Sequence, residues 1–134
     1  MYKVSVDKSI SAAHQLPRYP GKCSNLHGHN WRIRVTVVAS SLDDQGMVVD
    51  FSLLKKALGE VCELLDHKML NEVPILNGNH PTAENLSKLF YDEVSRRLPN
   101  ARVRLDRVEV WETPDNRAEY SPDGDGQSAG EEKA

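Results

Sequence analysis

The hydrophobic period changes along the 134 residues from two, to between three and four, and back to two, and this restricts the fold more than any other feature. Tyr2, Val4 and Val6 alternate with Lys3, Ser5 and Asp7, which predicts a strand with one buried face from about Tyr2 to Ile10, with His14 shortly after it. A second alternating run, from about His27, sets Trp31, Ile33, Val35 and Val37 against Arg32, Arg34 and Thr36. The period then lengthens. Leu54, Leu58, Val61 and Leu65 recur at helical spacing behind Asp50, a good N-cap, and this helix should end near Asp66-His67. Leu86, Leu89, Phe90 and Val94 form the next amphipathic stripe, with Thr82 as N-cap and Pro99 as terminator. Period two returns near Ala101. Val103 and Leu105 are out of phase with Val108 and Val110, so a bulge belongs near Asp106-Arg107. Pro114-Asp115-Asn116 then turns the chain into a short return strand ending near Tyr120.

Strand, strand, helix, helix, strand, strand is an α+β order, with two helices on one face of a four-stranded antiparallel sheet. The opposite face carries Arg32, Arg34 and Thr36 and is too polar for a dry core, but it suits the lining of an oligomeric barrel or a wet channel. Residues 1–120 read as a single domain. Residues 121–134 are rich in Gly, Ser and acids and read as a disordered tail. Between the helices, residues 66–81 form a loop long enough to suggest a function.

Charge excludes some functions. Four of the 20 acidic residues lie beyond Tyr120 with only Lys133 to offset them, so positions 1 to 120 carry 16 basic and 16 acidic side chains. A neutral domain with 6% aromatic residues has neither the basic stripe nor the stacking platform of a nucleic-acid binder. No apolar run approaches the ~20 residues of a membrane span, and no charged segment followed by an apolar one marks a secretory signal, which points to the cytoplasm. Of the two cysteines, Cys62 falls on the apolar stripe of the first helix and reads as a small core residue. Cys23 lies among turn residues near histidines.

The chemistry concentrates in His14, Cys23 and His27-Gly28-His29. In an extended segment His27 and His29 project to one face, and Gly28 keeps the space between them clear. A third imidazole from His14 would complete a three-histidine set of the kind that leaves a zinc position open; the alternative is that these are ordinary surface or core histidines in a loop. Two readings of Cys23 follow from its spacing. It closes a structural site of one cysteine and three histidines, or it stands off the metal as a thiolate base. Asp66-His67 is either a favourable helix C-terminus or an acid-base pair, given a turn that lets adjacent side chains meet. Glu112 is either a solvated residue near a strand end or a carboxylate able to accept two parallel N–H bonds from a planar ligand.

Six segments appear in an order that carries a resemblance: Ser11-Ala12-Ala13-His14-Gln15-Leu16, Cys23-Ser24-Asn25-Leu26-His27-Gly28-His29, Val49-Asp50-Phe51, Leu65-Asp66-His67-Lys68-Met69-Leu70-Asn71, Pro81-Thr82-Ala83-Glu84-Asn85 and Trp111-Glu112-Thr113. Together they resemble the 6-pyruvoyltetrahydropterin synthase family, over about residues 2 to 120. The three residues between Cys23 and the His-Gly-His tripeptide look most like its bacterial 6-carboxy-5,6,7,8-tetrahydropterin synthase branch. The resemblance implies the T-fold, in which trimers close a barrel and two trimers stack into a homohexamer with intersubunit active sites. It implies zinc on His14, His27 and His29, Cys23 as base with Asp66 and His67 as its proton-handling partners, and Glu112 and Thr82 as contacts to the pterin ring. The implied enzyme is a zinc-dependent carbon-carbon lyase. It takes 7,8-dihydroneopterin triphosphate to 6-carboxytetrahydropterin, acetaldehyde and triphosphate, a step toward queuosine and related deazapurines. The alternatives are the pyruvoyl-forming reaction on the same pocket, a variant acting on sepiapterin-like pterins, or a non-enzymatic module with the closed structural zinc site. The stretch 113–120 fits the family turn only loosely.

Overall fold

A computed structural model describes residues 1–16, 21, 24–98 and 102–122. Four strands, β1 (Tyr2–His14), β2 (His27–Ala39), β3 (Arg104–Thr113) and β4 (Asn116–Tyr120), form one antiparallel sheet in the order β1-β2-β3-β4. Two helices, α1 (Phe51–Leu65) and α2 (Ala83–Arg97), cover one face. This is the architecture that the period changes predict.

β1 runs four residues further than the alternation suggests, so His14 is the last residue of the strand and pairs directly with His27. The extension was hard to read because Ser11, Ala12 and Ala13 are small and show little contrast between faces. Their hold comes from partners. Ser11, Ala12 and Ala13 pair with Asn30, His29 and Gly28, and the Trp31 indole donates to the Ala12 carbonyl at 3.1 Å. At the other end, β3 starts at Arg104 and not near Ala101. Arg102 is drawn to the loop after β2, where its guanidinium donates to the carbonyls of Ser41 and Val48. Ala101 and the predicted terminator Pro99 lie outside the described residues.

The bulge falls where the phase break puts it. Arg107 pairs with Thr36 and Leu105 with Val37, which leaves Asp106 without an opposite residue and turns Leu105 and Val108 to the same buried side. That side packs Val6, Ile10, Trp31, Ile33, Val35 and Val110 against Leu54, Leu58, Val61 and Leu65 of α1 and against Leu86, Phe90 and Val94 of α2. Cys62 sits in this core, and burial pushes its thiol up to about 12, so it is a packing residue. Both predicted caps are made. Asp50 accepts from the Ser52 amide at 2.9 Å, and Thr82 Oγ1 accepts from the Asn85 amide at 3.1 Å. The loop between the helices holds two short 3-10 turns, Leu70–Glu72 and Pro74–Leu76. No helix among the described residues is long and apolar enough to cross a membrane.

Candidate metal centre

Strand alternation places His27, His29 and Trp31 on the helix-facing side of β2, with His14 opposite His27 on β1. The core ends at Trp31, and beyond it the same face continues as three imidazoles. The Trp31 ring meets His14 edge-on at 5.0 Å and His29 at 5.3 Å between centroids, so the indole is a buried floor under the cluster. Gly28 faces the other way. Its missing side chain therefore leaves open the far side of the sheet, and the space between the two imidazoles does not depend on it.

Hydrogen bonds decide which nitrogens are available. His14 Nδ1 lies 2.8 Å from the Pro81 carbonyl and His27 Nδ1 lies 2.7 Å from the Asn25 carbonyl. A carbonyl only accepts, so both Nδ1 atoms carry the proton and both Nε2 atoms present lone pairs. Those two Nε2 atoms face each other at 3.0 Å, a repulsive arrangement unless a cation, either a proton or a metal ion, lies between or beside them. Among the described residues the buried Nε2 of His29 has no hydrogen-bond partner, the Glu112 carboxylate lying 3.5 Å away as an ion-pair neighbour. Burial pushes its imidazole below the ordinary histidine value, with the nearby Glu112 carboxylate opposing the shift. One ligand nitrogen from each of His14, His27 and His29 lies within 4.8 Å of the others, an arrangement able to hold a metal ion. Converging lone pairs, an unpartnered buried nitrogen and carbonyls that orient two of the rings fit a divalent metal.

Glu112 continues the parity of Val108 and Val110 and arrives at the same cluster. Its Oε2 is 3.3 Å from His14 Nε2 and 3.5 Å from His29 Nε2. Asp66 and His67 stand across the β1 edge. The turn they needed exists, because His67 adopts a left-handed φ of 59° that brings its Nδ1 to 3.1 Å from Asp66 Oδ1. The corner is tied to β1 on both sides of Ser11, whose amide donates to Asp66 Oδ1 at 2.8 Å and whose carbonyl accepts from the His67 amide at 2.6 Å. The Ser11 amide is the main cause holding the Asp66 carboxyl below its usual range, with His67 adding to it. His67 is exposed, and it shares with His29, Gly28 and Asn30 an open cleft of about 470 Å³. Thr82 is reached through its neighbour, since Pro81 contacts His14 and Thr82 starts α2. Cys23 lies outside the described residues. Trp31, the two orienting carbonyls and the Ser11 clamp were missed from the sequence. Only Trp31 left a signal, being in phase with the His-Gly-His tripeptide.

The sequence pattern of 6-pyruvoyl tetrahydropterin synthase matches residues 3–123. The chain belongs to this family. It is 36% identical over 128 residues to a 6-carboxy-5,6,7,8-tetrahydropterin synthase of Bacillus subtilis (strain 168), covering 90% of this chain and 86% of that one. It is 39% identical over 102 residues to a 6-pyruvoyl tetrahydrobiopterin synthase of Dictyostelium discoideum, covering 75% of this chain and 73% of that one. Its fold is similar to that of the Caenorhabditis elegans 6-pyruvoyl tetrahydropterin synthase, with a TM-score of 0.82 at 28% identity, over 90% of this chain and 95% of the other. The family thus includes both products considered from the sequence, and the three-histidine cluster lies within the matched span.

Proposed function

We propose that this tetrahydropterin synthase family member is a cytoplasmic, zinc-dependent 6-carboxy-5,6,7,8-tetrahydropterin synthase, converting 7,8-dihydroneopterin triphosphate to 6-carboxytetrahydropterin, acetaldehyde and triphosphate, a step that would serve queuosine and deazapurine synthesis. The observation that carries the reading is the convergence of His14, His27 and His29 with a carboxylate, Glu112, at one end of the sheet. The carboxy-forming relatives favour this product over the pyruvoyl one.

His14, His27 and His29 would hold the zinc, which supplies Lewis acidity toward the hydroxyls of the substrate side chain. Glu112 would accept two N–H bonds from the amino-oxo edge of the pterin and so fix the ring, with Thr82 beside it at the start of α2. His67, oriented through Nδ1 by Asp66, presents Nε2 for proton transfer, and Asp66 stabilises the imidazolium when that nitrogen is charged. Cys23, four residues before His27, would take the proton from the side-chain carbon as the base. Residues 1–120 form the catalytic domain in this reading. The stretch 121–134 is a tail outside it, with residues 123–134 beyond the described part.

The proposed assembly is a dimer of trimers with active sites between subunits. Its support is a sheet whose β4 edge, and whose β1 edge up to about Ile10, have no strand partner among the described residues, and an outer face of charged residues in which Arg34 donates to both Asp7 oxygens, at 2.8 and 3.1 Å. Arg32 lies over the Trp111 ring at 3.9 Å on that face.

The deciding experiment incubates zinc-loaded protein anaerobically with 7,8-dihydroneopterin triphosphate, assaying acetaldehyde and weighing the pterin product by mass spectrometry. Acetaldehyde with the carboxytetrahydropterin is the expected result. A pyruvoyl product without acetaldehyde moves the chain to the sister activity, and no turnover with zinc bound rejects both.

A further inference from the structure

Gln15 follows His14 directly and lies just past the end of β1, where no strand partner remains for its backbone. Asn71 supplies one from the loop after α1. The Gln15 amide donates to Asn71 Oδ1 at 2.9 Å, and Asn71 Nδ2 donates back to the Gln15 carbonyl at 2.9 Å, so one side-chain amide does the work of a paired strand residue. With its backbone held, the Gln15 side chain reaches across to the next segment. Its Nε2 donates to the Ser24 carbonyl at 2.9 Å.

Ser24 is a sensitive place to hold. Its own amide and hydroxyl both donate to the Gly21 carbonyl, at 3.2 and 2.9 Å, and the carbonyl of the next residue, Asn25, orients the His27 ring through Nδ1. Three segments therefore meet at Gln15: the strand end bearing His14, the residues from Ser24 that lead into His27, and, 56 positions further along the chain, the loop bearing Asn71. Neither residue touches the cluster itself. With Ser24 unheld, the segment Ser24–His27 would let the Asn25 carbonyl drift, and an imidazole with its Nδ1–H unheld loses both its orientation and the bias that keeps Nε2 unprotonated.

We infer that Gln15 and Asn71 are positioning residues that fix the segment Ser24–His27 against the end of β1, and through it set the ring of His27 relative to that of His14. For its activity readout the inference rests on the proposed reaction. For its metal readout it rests only on the cluster.

The test compares Gln15→Met, which keeps the length and removes the donor, with Gln15→Arg, which keeps a donor able to reach Ser24. Zinc affinity is measured by chelator competition and turnover with 7,8-dihydroneopterin triphosphate. The direct partner of the His27 ring is the Asn25 carbonyl, and loss of such a partner typically costs roughly tenfold or more in metal affinity. Gln15 acts one step behind it, so Gln15→Met should weaken zinc by about threefold to tenfold and lower kcat similarly, with KM changed by no more than about twofold. Gln15→Arg should restore both. Wild-type zinc affinity in Gln15→Met, or an Arg variant no better than Met, overturns the inference. Should Gln15→Met fail to fold by circular dichroism, Asn71→Ala carries the same readouts, because it removes both bonds to the Gln15 backbone. If the wild-type protein turns over no substrate while zinc affinity still follows the donor at position 15, the proposed reaction fails and the positioning role stands.

Discussion

Glu112 is the residue whose position asks most of the chemistry. A carboxylate with one oxygen 3.3 and 3.5 Å from two imidazole nitrogens is placed to balance a cation held by those rings, to ligate it, or to reach past it to a ring substrate. Glu112→Gln separates these roles because the amide keeps the shape and one acceptor but loses the charge and the second acceptor. As a pterin anchor, Glu112 gives up a charge-assisted double hydrogen bond, so the variant should bind its full zinc complement while pterin affinity falls roughly tenfold or more. Zinc content by atomic absorption and substrate binding by calorimetry check both halves. Loss of zinc would make Glu112 a ligand, and unchanged pterin affinity would remove it from the ring site. The sequence marked Glu112 as a residue of interest by its place after an apolar run, yet nothing in a one-dimensional pattern tells a solvated end-of-strand carboxylate from one facing three histidines. That distinction comes from the pairing of β2 and β3, which carries the parity of Val110 to the same end of the sheet as His29.

At the scale of elements, α1 ends in a corner that serves as an extra half-strand. Ser11 is bonded on both sides to residues 66 and 67, and the Ala13 amide donates to the Lys68 carbonyl at 3.0 Å, so the segment lies parallel to the end of β1. The period-two and helical stripes made the strands and helices legible, because burial of one face is written directly into residue order. This corner was not legible, since it rests on backbone bonds and on a left-handed His67 that no residue type announces. The same holds for the last turn of β1, which small residues concealed. Asp66→Asn tests the corner. Its amide oxygen still accepts from the Ser11 amide, so the fold should persist, while His67 loses the charge that orients and stabilises it and turnover should fall by roughly tenfold or more. The pH dependence of stability has a definite sign. Asp66 is held below its ordinary value in the folded state, so its contribution is present above about pH 4, the unfolded carboxyl range, and is lost as pH falls through the lower folded value. Denaturant melts from pH 2 to 6 should show a shallower acid decline in the Asn variant. An unchanged slope would mean that the charge of Asp66 adds nothing to the clamp.

For the whole molecule, the strand directions constrain how the proposed assembly would close the sheet. Four strands in strict antiparallel order leave β1 and β4 running opposite ways, so the β4 edge of one copy can meet the β1 edge of another in continued antiparallel pairing. Alternation survives every such joint, which is what a ring of identical sheets requires. The β1 edge is not open along its whole length, because the corner at Asp66 to Met69 covers it from Ser11 to Ala13. The uncovered part, up to about Ile10, is ample for the five residues of β4. Since the backbone groups of Ser11 and Ala13 point outward to that corner, the two-residue repeat of a strand sends those of Ser9, Asp7 and Ser5 outward as well. Proline at such a position removes an N–H that no bond to β2 uses, so a single chain tolerates it at the edge, but an edge-to-edge joint loses a ladder bond and meets the ring. Ser9→Pro should therefore keep the native far-UV circular dichroism and the metal-binding capacity of the three-histidine cluster. Light-scattering mass should fall from the proposed hexamer toward the 15.0 kDa protomer, with loss of turnover if active sites lie between subunits. A fully assembled Ser9→Pro protein would place the joint elsewhere than the β1 edge, and a variant that dissociates yet keeps its turnover would place each active site within one chain.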